Sequence, residues 1–219
     1  MKTPGVPRSV CIDIETKSTD KNAFILSIGA VAFDDFGFKK TFEACNPSVW
    51  YGQVPWNDPQ QIDRHVSDST LEWWDTQRKP LQILRHPNSQ EAQFVYAGLR
   101  EMLAGFLQFV KEERHGGKVM AWGTDFDCAI IDQALSFTGL MKDKSWRYGD
   151  HLCCRAFFEA CHRAGIDKVG TRKRESKPEL IAHHAADDAI GLANKFIQYN
   201  HCLWKIGQPA AQQQLRFLS

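Results

Sequence analysis

The chain has 219 residues, 43% of them hydrophobic and 24% charged, with a formal net charge of +1. That balance suits one soluble globular domain with a real core and excludes a disordered or fibrous chain. It also excludes an overall basic surface, so any positive patch for nucleic acid has to be local. No apolar run is long enough to cross a membrane, and the opening MKTPGVPRSV holds no apolar signal segment. The seven cysteines are odd in number and form no C-x-x-C pair. This argues against a zinc ribbon or a secreted disulfide framework and for a reducing, cytoplasmic compartment.

Residues 1–8 carry two prolines and a glycine and read as a flexible leader. Ser9 to Ile14 is a short, β-branched apolar run expected to form a buried strand, and Phe24 to Phe33 a second. Asp34, Asp35 and Gly37 signal a turn, after which Phe38 to Phe42 is expected to return as a third strand, completing a β-meander. Residues 44–68, with three prolines, read as irregular. A short helix is expected from Thr70 to Gln77, opened by a Ser69/Glu72 capping box, and then a loop over 78–88.

From Gln90 to Arg114, Val95, Leu99, Met102, Leu103, Phe106, Phe109 and Val110 recur at helical spacing, and Gly116-Gly117 ends that helix. Val119 to Trp122 reads as a strand, Asp127 to Phe137 as a helix, and residues 139–150 as a polar connection. Helices are expected from Leu152 to Ala164, ending at Gly165, and from Ala185 to Tyr199, with no assignment for the tail over 201–219. Strands first, then helices alternating with a strand, predict one α/β domain over 9–200, a mixed sheet flanked by helices.

Three short patterns carry chemistry. In Val10-Cys11-Ile12-Asp13-Ile14-Glu15-Thr16, strand alternation puts Cys11, Asp13 and Glu15 on one face. Two carboxylates at the end of an apolar strand lose hydration and repel each other; either the strand end is wetted, or a hard cation relieves both penalties. Asp127 opens a helix after Gly123, where it can cap that helix or join a site beyond the strand end. In His183-His184-Ala185-Ala186-Asp187-Asp188, Asp188 borders the apolar face of the last helix, Asp187 lies farther toward solvent, and His183 reaches in from the rim. A zinc site using His183 and Asp187 lacks further ligands. Four carboxylates and a histidine in this order suit a two-metal phosphoryl hydrolase.

Together these patterns resemble the DEDD exonucleases of the histidine subtype. Asp13-Ile14-Glu15-Thr16 matches the first motif, Phe126-Asp127 the second, and His183 with Asp188 five residues on the third. The likeness runs from about residue 9 to residue 200. It is greatest to the branch holding the phage exodeoxyribonuclease A and a mycobacterial-type exoribonuclease, through His183 to Ala189 and the pair Trp73-Trp74. The resemblance implies a ribonuclease H-like fold and 3′→5′ hydrolysis of single-stranded DNA or RNA ends to nucleoside 5′-monophosphates. It implies two Mg²⁺ ions, with Mn²⁺ able to substitute, held by Asp13, Glu15, Asp127 and Asp188. His183 would be the general base, Thr16 would lie by the terminal nucleotide, and a homodimer is plausible.

Two departures stand out: Asp125 adds a carboxylate beside the second motif, and His184 replaces a common asparagine. Arg172, Lys173, Arg174 and Lys177 form a basic stretch that is either a substrate-contacting lid or a solvated loop. Trp73 and Trp74 either stack a base or pack in the core. Two other functions fit the same residues: a two-metal phosphohydrolase of small nucleotides, and a catalytically silent nucleic-acid-binding protein on the same fold.

Overall fold

The computed structural model describes residues 5–35, 37, 39, 41–166 and 180–217, with side chains described as far as residue 207. Its frame is a five-stranded mixed sheet. β1 (Arg8–Thr16) and β2 (Ile25–Asp34) pair antiparallel, and β3 (Ser48–Gln53) continues the meander on the outer side of β2. On the other side of β1, β4 (Gly116–Ala121) and β5 (His151–Cys153) run parallel to it, giving the order β3-β2-β1-β4-β5.

β1 is central and buried on both faces, which is why it reads as nearly continuous apolar sequence. Alternation divides its side chains: Val10, Ile12 and Ile14 enter one core, and Cys11 the other. The first core is covered by α1 (Asp68–Thr76), α2 (Arg78–Arg85), α3 (Leu99–Glu113) and α4 (Asp127–Phe137). The second is covered by α5 (Cys154–Arg163) and α6 (Ala185–Phe217). This is the expected single α/β layer architecture. Because β1 and β4 are parallel, their carboxyl ends lie side by side, where open α/β sheets place ligands.

Several expected boundaries shift. The third strand is Ser48–Gln53, and the described residues among 38–42 form none. Pro47 and Pro55 bracket that strand rather than interrupt it, so they bound a strand inside sequence that reads as irregular. Residues 78–85 are helical, since Pro80 falls in the first turn of α2, where its missing N–H has no partner to lose. The Ser69/Glu72 capping box does not form: the N-cap is Ser67, and its hydroxyl pairs with that of Ser69 at 2.8 Å.

The long helix begins only at Leu99, and Val95 instead bridges to Gln53. It ends at Glu113, so Gly116, with φ 66°, opens β4 rather than closing the helix. β5 takes the first residues assigned to the following helix, which starts at Cys154. α6 continues without a break past residue 200 to Phe217. Among the described residues, no helix is long and apolar enough to cross a membrane.

Candidate active site

Three pieces of chain converge at the carboxyl ends of β1 and β4. The first is β1 itself, whose register shifts between Glu15 and Thr16 as the strand leaves the sheet. The second is the turn after β4, where the amides of Phe126 and Asp127 donate to the Gly123 carbonyl and start α4. Asp127 is thus the first residue of α4 rather than its N-cap, which is Phe126, and its side chain is buried. The third is the start of α6. There His183 takes a left-handed backbone, φ 61°, and its N–H donates to Asp188 Oδ2 at 2.7 Å. A positive φ is uncommon for a non-glycine residue and costs roughly 1–3 kcal/mol, and such strain gathers at functional sites.

Glu15, His183 and Asp188 each offer a ligand atom within 4.8 Å of the others. Asp13 and Asp127 complete the cluster electrostatically. Burial, then the charges of Asp127 and Asp188, push the Asp13 carboxyl well above the usual carboxylate range. Burial, then Asp13, Asp188 and Asp127, do the same to Glu15. Burial raises Asp127 to about 7, although backbone amides of Asp127, Ile14 and Gly123 pull it down; Asp125 adds a further push upward. Among the described residues no salt bridge reaches Asp13, Glu15 or Asp127.

The two histidines part company. His183 is exposed and stands edge-on to Trp73, ring centroids 4.8 Å apart. His184 is buried on the Tyr51 ring at 4.6 Å, with Nδ1 3.5 Å from Asp187 and Nε2 3.7 Å from Glu91. Asp187 is not turned to solvent as expected. It is partly buried beside His184, and its Oδ2 accepts the Ile181 amide at 2.8 Å. Asp188 takes the inward position, and Asp187 ties down the approach to α6.

The tryptophan pair divides in the same way. Trp74 is 1% exposed and its indole N–H donates to the Thr16 carbonyl at 2.8 Å, tying α1 to the end of β1. Trp73 is 40% exposed and meets the His183 ring. Thr16 lies at the site, but its hydroxyl donates to the Ser18 carbonyl at 2.6 Å and its own carbonyl is taken by Trp74. Arg172, Lys173, Arg174 and Lys177 lie outside the described residues.

Gly29 belongs to the site without carrying any chemistry of its own. It sits opposite Asp13 in β2, and a β-carbon there would fall inside the backbone of Ala185 and Ala186. Its missing side chain lets the start of α6 rest directly on the sheet and brings Asp188 to Asp13. Within the sequence it is one glycine in an apolar run, and only the close approach of another backbone gives it meaning.

Residues 8–199 match the model of the 3′-5′ exoribonuclease Rv2179c-like domain. The chain belongs to that family. The acidic cluster lies within the matched span. Among solved structures, the zinc-bound complex of Escherichia coli exonuclease I with single-stranded DNA is similar at a TM-score of 0.60 and 10% identity, over 88% of this chain and 40% of that one. Exonuclease I from Methylocaldum szegediense gives 0.57 at 14% identity, over 96% of this chain and 46% of that one. The exonuclease domain spans less than half the length of these neighbours, and the likeness shows a shared ribonuclease H-like fold. A search of curated proteins returned no match.

Proposed function

We propose that this exonuclease domain removes nucleoside 5′-monophosphates from the 3′ end of single-stranded nucleic acid, using two divalent ions held by Asp13, Glu15, Asp127 and Asp188. One observation carries the reading: Asp13, Glu15, Asp127 and Asp188 are gathered at a strand end, where burial and mutual repulsion push the Asp13, Glu15 and Asp127 carboxyls up. An all-oxygen donor set of this kind suits Mg²⁺ or Mn²⁺. When bound, such ions activate water and take up charge on the leaving 3′ oxygen.

The chain's own residues do the rest. Asp188 fixes the His183 backbone through its amide, and Trp73 holds the imidazole edge-on beside the cluster. His183, beside Glu15 and Asp188, takes the proton of the attacking water in this reading, which the engagement of His184 with Tyr51 supports. Thr16, locked by Trp74 and Ser18, shapes the floor for the terminal nucleotide. The basic stretch Arg172, Lys173 and Arg174 would add phosphate contacts. The seven unpaired thiols support a reducing, cytoplasmic setting. A homodimer belongs to the same reading, with exposed Leu203, Trp204 and Ile206 on α6 as apolar contacts, and light scattering tests it.

The test uses 5′-labelled single-stranded DNA and RNA of one sequence with Mg²⁺, Mn²⁺ or EDTA. A ladder shortening from the 3′ end, dependent on metal and absent in Asp13→Ala, is expected; the faster polymer identifies the substrate class. No shortening of either polymer by a folded protein would overturn the proposal. In the same assay, His183→Ala should lose roughly 10²–10⁴ in kcat and His184→Ala far less. Equal losses from both would reassign the base.

A further inference from the structure

Trp122, the residue after β4, stands 45% exposed at the strand end that leads through Gly123 to Asp127. Its backbone is fixed, because its carbonyl accepts the Arg155 amide at 3.0 Å. The Lys195 ammonium lies 4.9 Å from its ring centre and 4.3 Å from that of Phe158. No carboxylate pairs with Lys195 among the described residues, and burial lowers its pKa. An unpaired cation clamped between aromatic faces keeps its charge without an internal anion and is pre-positioned for an external one.

Helical geometry relates this cation to the acidic cluster. Lys195 follows Asp188 by seven residues on α6, so it lies on nearly the same face, roughly 10 Å along the axis. Phosphate charges repeat every ~3.4 Å along each strand of a duplex and farther apart in an extended strand, so the ammonium falls about one to three phosphates from the cluster. Arg155 adds a second cation: its Nη2 sits 2.5 Å from where a Gly123 β-carbon would be, with Asp125 Oδ1 at 2.9 Å from the same point. Thr16, Lys17 and Ser18 at the end of β1 are buried, whereas the Trp122 ring at the end of β4 is open to a base.

Resting on the exonuclease reading, we infer that Trp122 and Lys195, with Arg155 beside them, form a subsite for the nucleotides upstream of the scissile bond. A base stacks on the exposed indole while Lys195 holds a phosphate. The site is sequence-tolerant, because every base has a face to stack.

The experiment measures kcat/KM on a dinucleotide and on homopolymers of three, five and eight nucleotides, at several KCl concentrations, for the whole chain with Mn²⁺. In the wild type, kcat/KM rises with length. Trp122→Ala and Lys195→Gln should each cut the gain from dinucleotide to pentamer about 10-fold, through KM rather than kcat. Lys195→Gln should also flatten the dependence of log KM on log salt by ~0.7, one single-strand phosphate contact. Trp122→Phe and Lys195→Arg should restore most of the gain. Lys111→Gln, the same charge loss on the exposed surface of α3, should change neither. If Trp122→Ala fails to fold, Lys195→Gln and its salt slope decide alone. Cleavage of the dinucleotide with the length gain intact in both variants overturns the subsite only. Cleavage of no substrate by the wild type overturns the exonuclease reading, and the subsite with it.

Discussion

The two ends of β1 treat buried charge in opposite ways. At the amino end, Arg8 is 2% exposed and its guanidinium is fully engaged: Asp34 at 3.0 Å, Glu113 at 2.8 Å, the Asn46 carbonyl at 2.8 Å and Ser48 at 2.8 Å. At the carboxyl end, Asp13 and Glu15 are set among further carboxylates, and among the described residues no salt bridge reaches them. One strand thus carries a charge neutralised from within and, five and seven residues away, two carboxylates that no salt bridge among the described residues offsets. The first arrangement serves the fold, and the second is a binding site held at the expense of stability.

The sharpest way to break that comparison is to neutralise each end in turn. Asp13→Asn should cost at least ~10³-fold in activity, since metal stabilisation is worth several kcal/mol and each 1.36 kcal/mol is tenfold. Without metal at pH 8 the same variant should melt higher than wild type, by about 2–4 °C for each kcal/mol of repulsion relieved. Arg8→Met should do the reverse. It takes the guanidinium from buried Asp34 and partly exposed Glu113, at roughly 3 kcal/mol of stability in urea unfolding, while activity per folded molecule is retained. An Asp13→Asn protein less stable than wild type in the absence of metal would show that the carboxylates are structural, and the contrast between the two ends would disappear.

Gly29→Ala probes how tightly the site is assembled. The added methyl collides with the Ala185 backbone, so the start of α6 has to move and Asp188 with it. A displacement near 1 Å can cost about 10²-fold in rate. Single-turnover kinetics should show that loss in the chemical step, and an unchanged rate would mean that α6 is not positioned through this contact.

Legibility followed the range over which each signal acts. Alternation within Val10 to Glu15 is local, so the placing of Asp13 and Glu15 opposite Ile12 and Ile14 was readable, as was the helix from Asp127 to Phe137. The third strand was misplaced because its bounding prolines look like loop signals until the pairing with β2 is known. His183 was preferred to His184 on a local signal, its spacing to Asp188, but what holds the two histidines apart is not local. That depends on Tyr51, Glu91 and Trp73, which meet the two histidines only in the folded chain. Gly29 was hidden for the same reason: it is explained by the backbone that rests on it, not by its neighbours in sequence.

The smallest effect, and the most direct reading of the carboxyl end, is the pH dependence of metal-free stability. An ordinary aspartate loses its proton near pH 4, whereas Asp127 in the folded protein holds it to about pH 7. Between those values the folded state binds more protons than the unfolded chain, so stability falls as pH rises through this window and levels off above it. Asp13 and Glu15, shifted in the same direction, reinforce the trend. Divalent ions bind the ionised site of the folded state only, and at 100 times Kd they return ~2.7 kcal/mol. Melting curves in EDTA should therefore decline between pH 5 and pH 8 relative to Asp127→Asn, and saturating Mn²⁺ should lift wild type more at pH 8 than at pH 5. A metal increment equal at both pH values would mean that the ions bind away from these carboxylates, and that both ends of β1 serve only the fold.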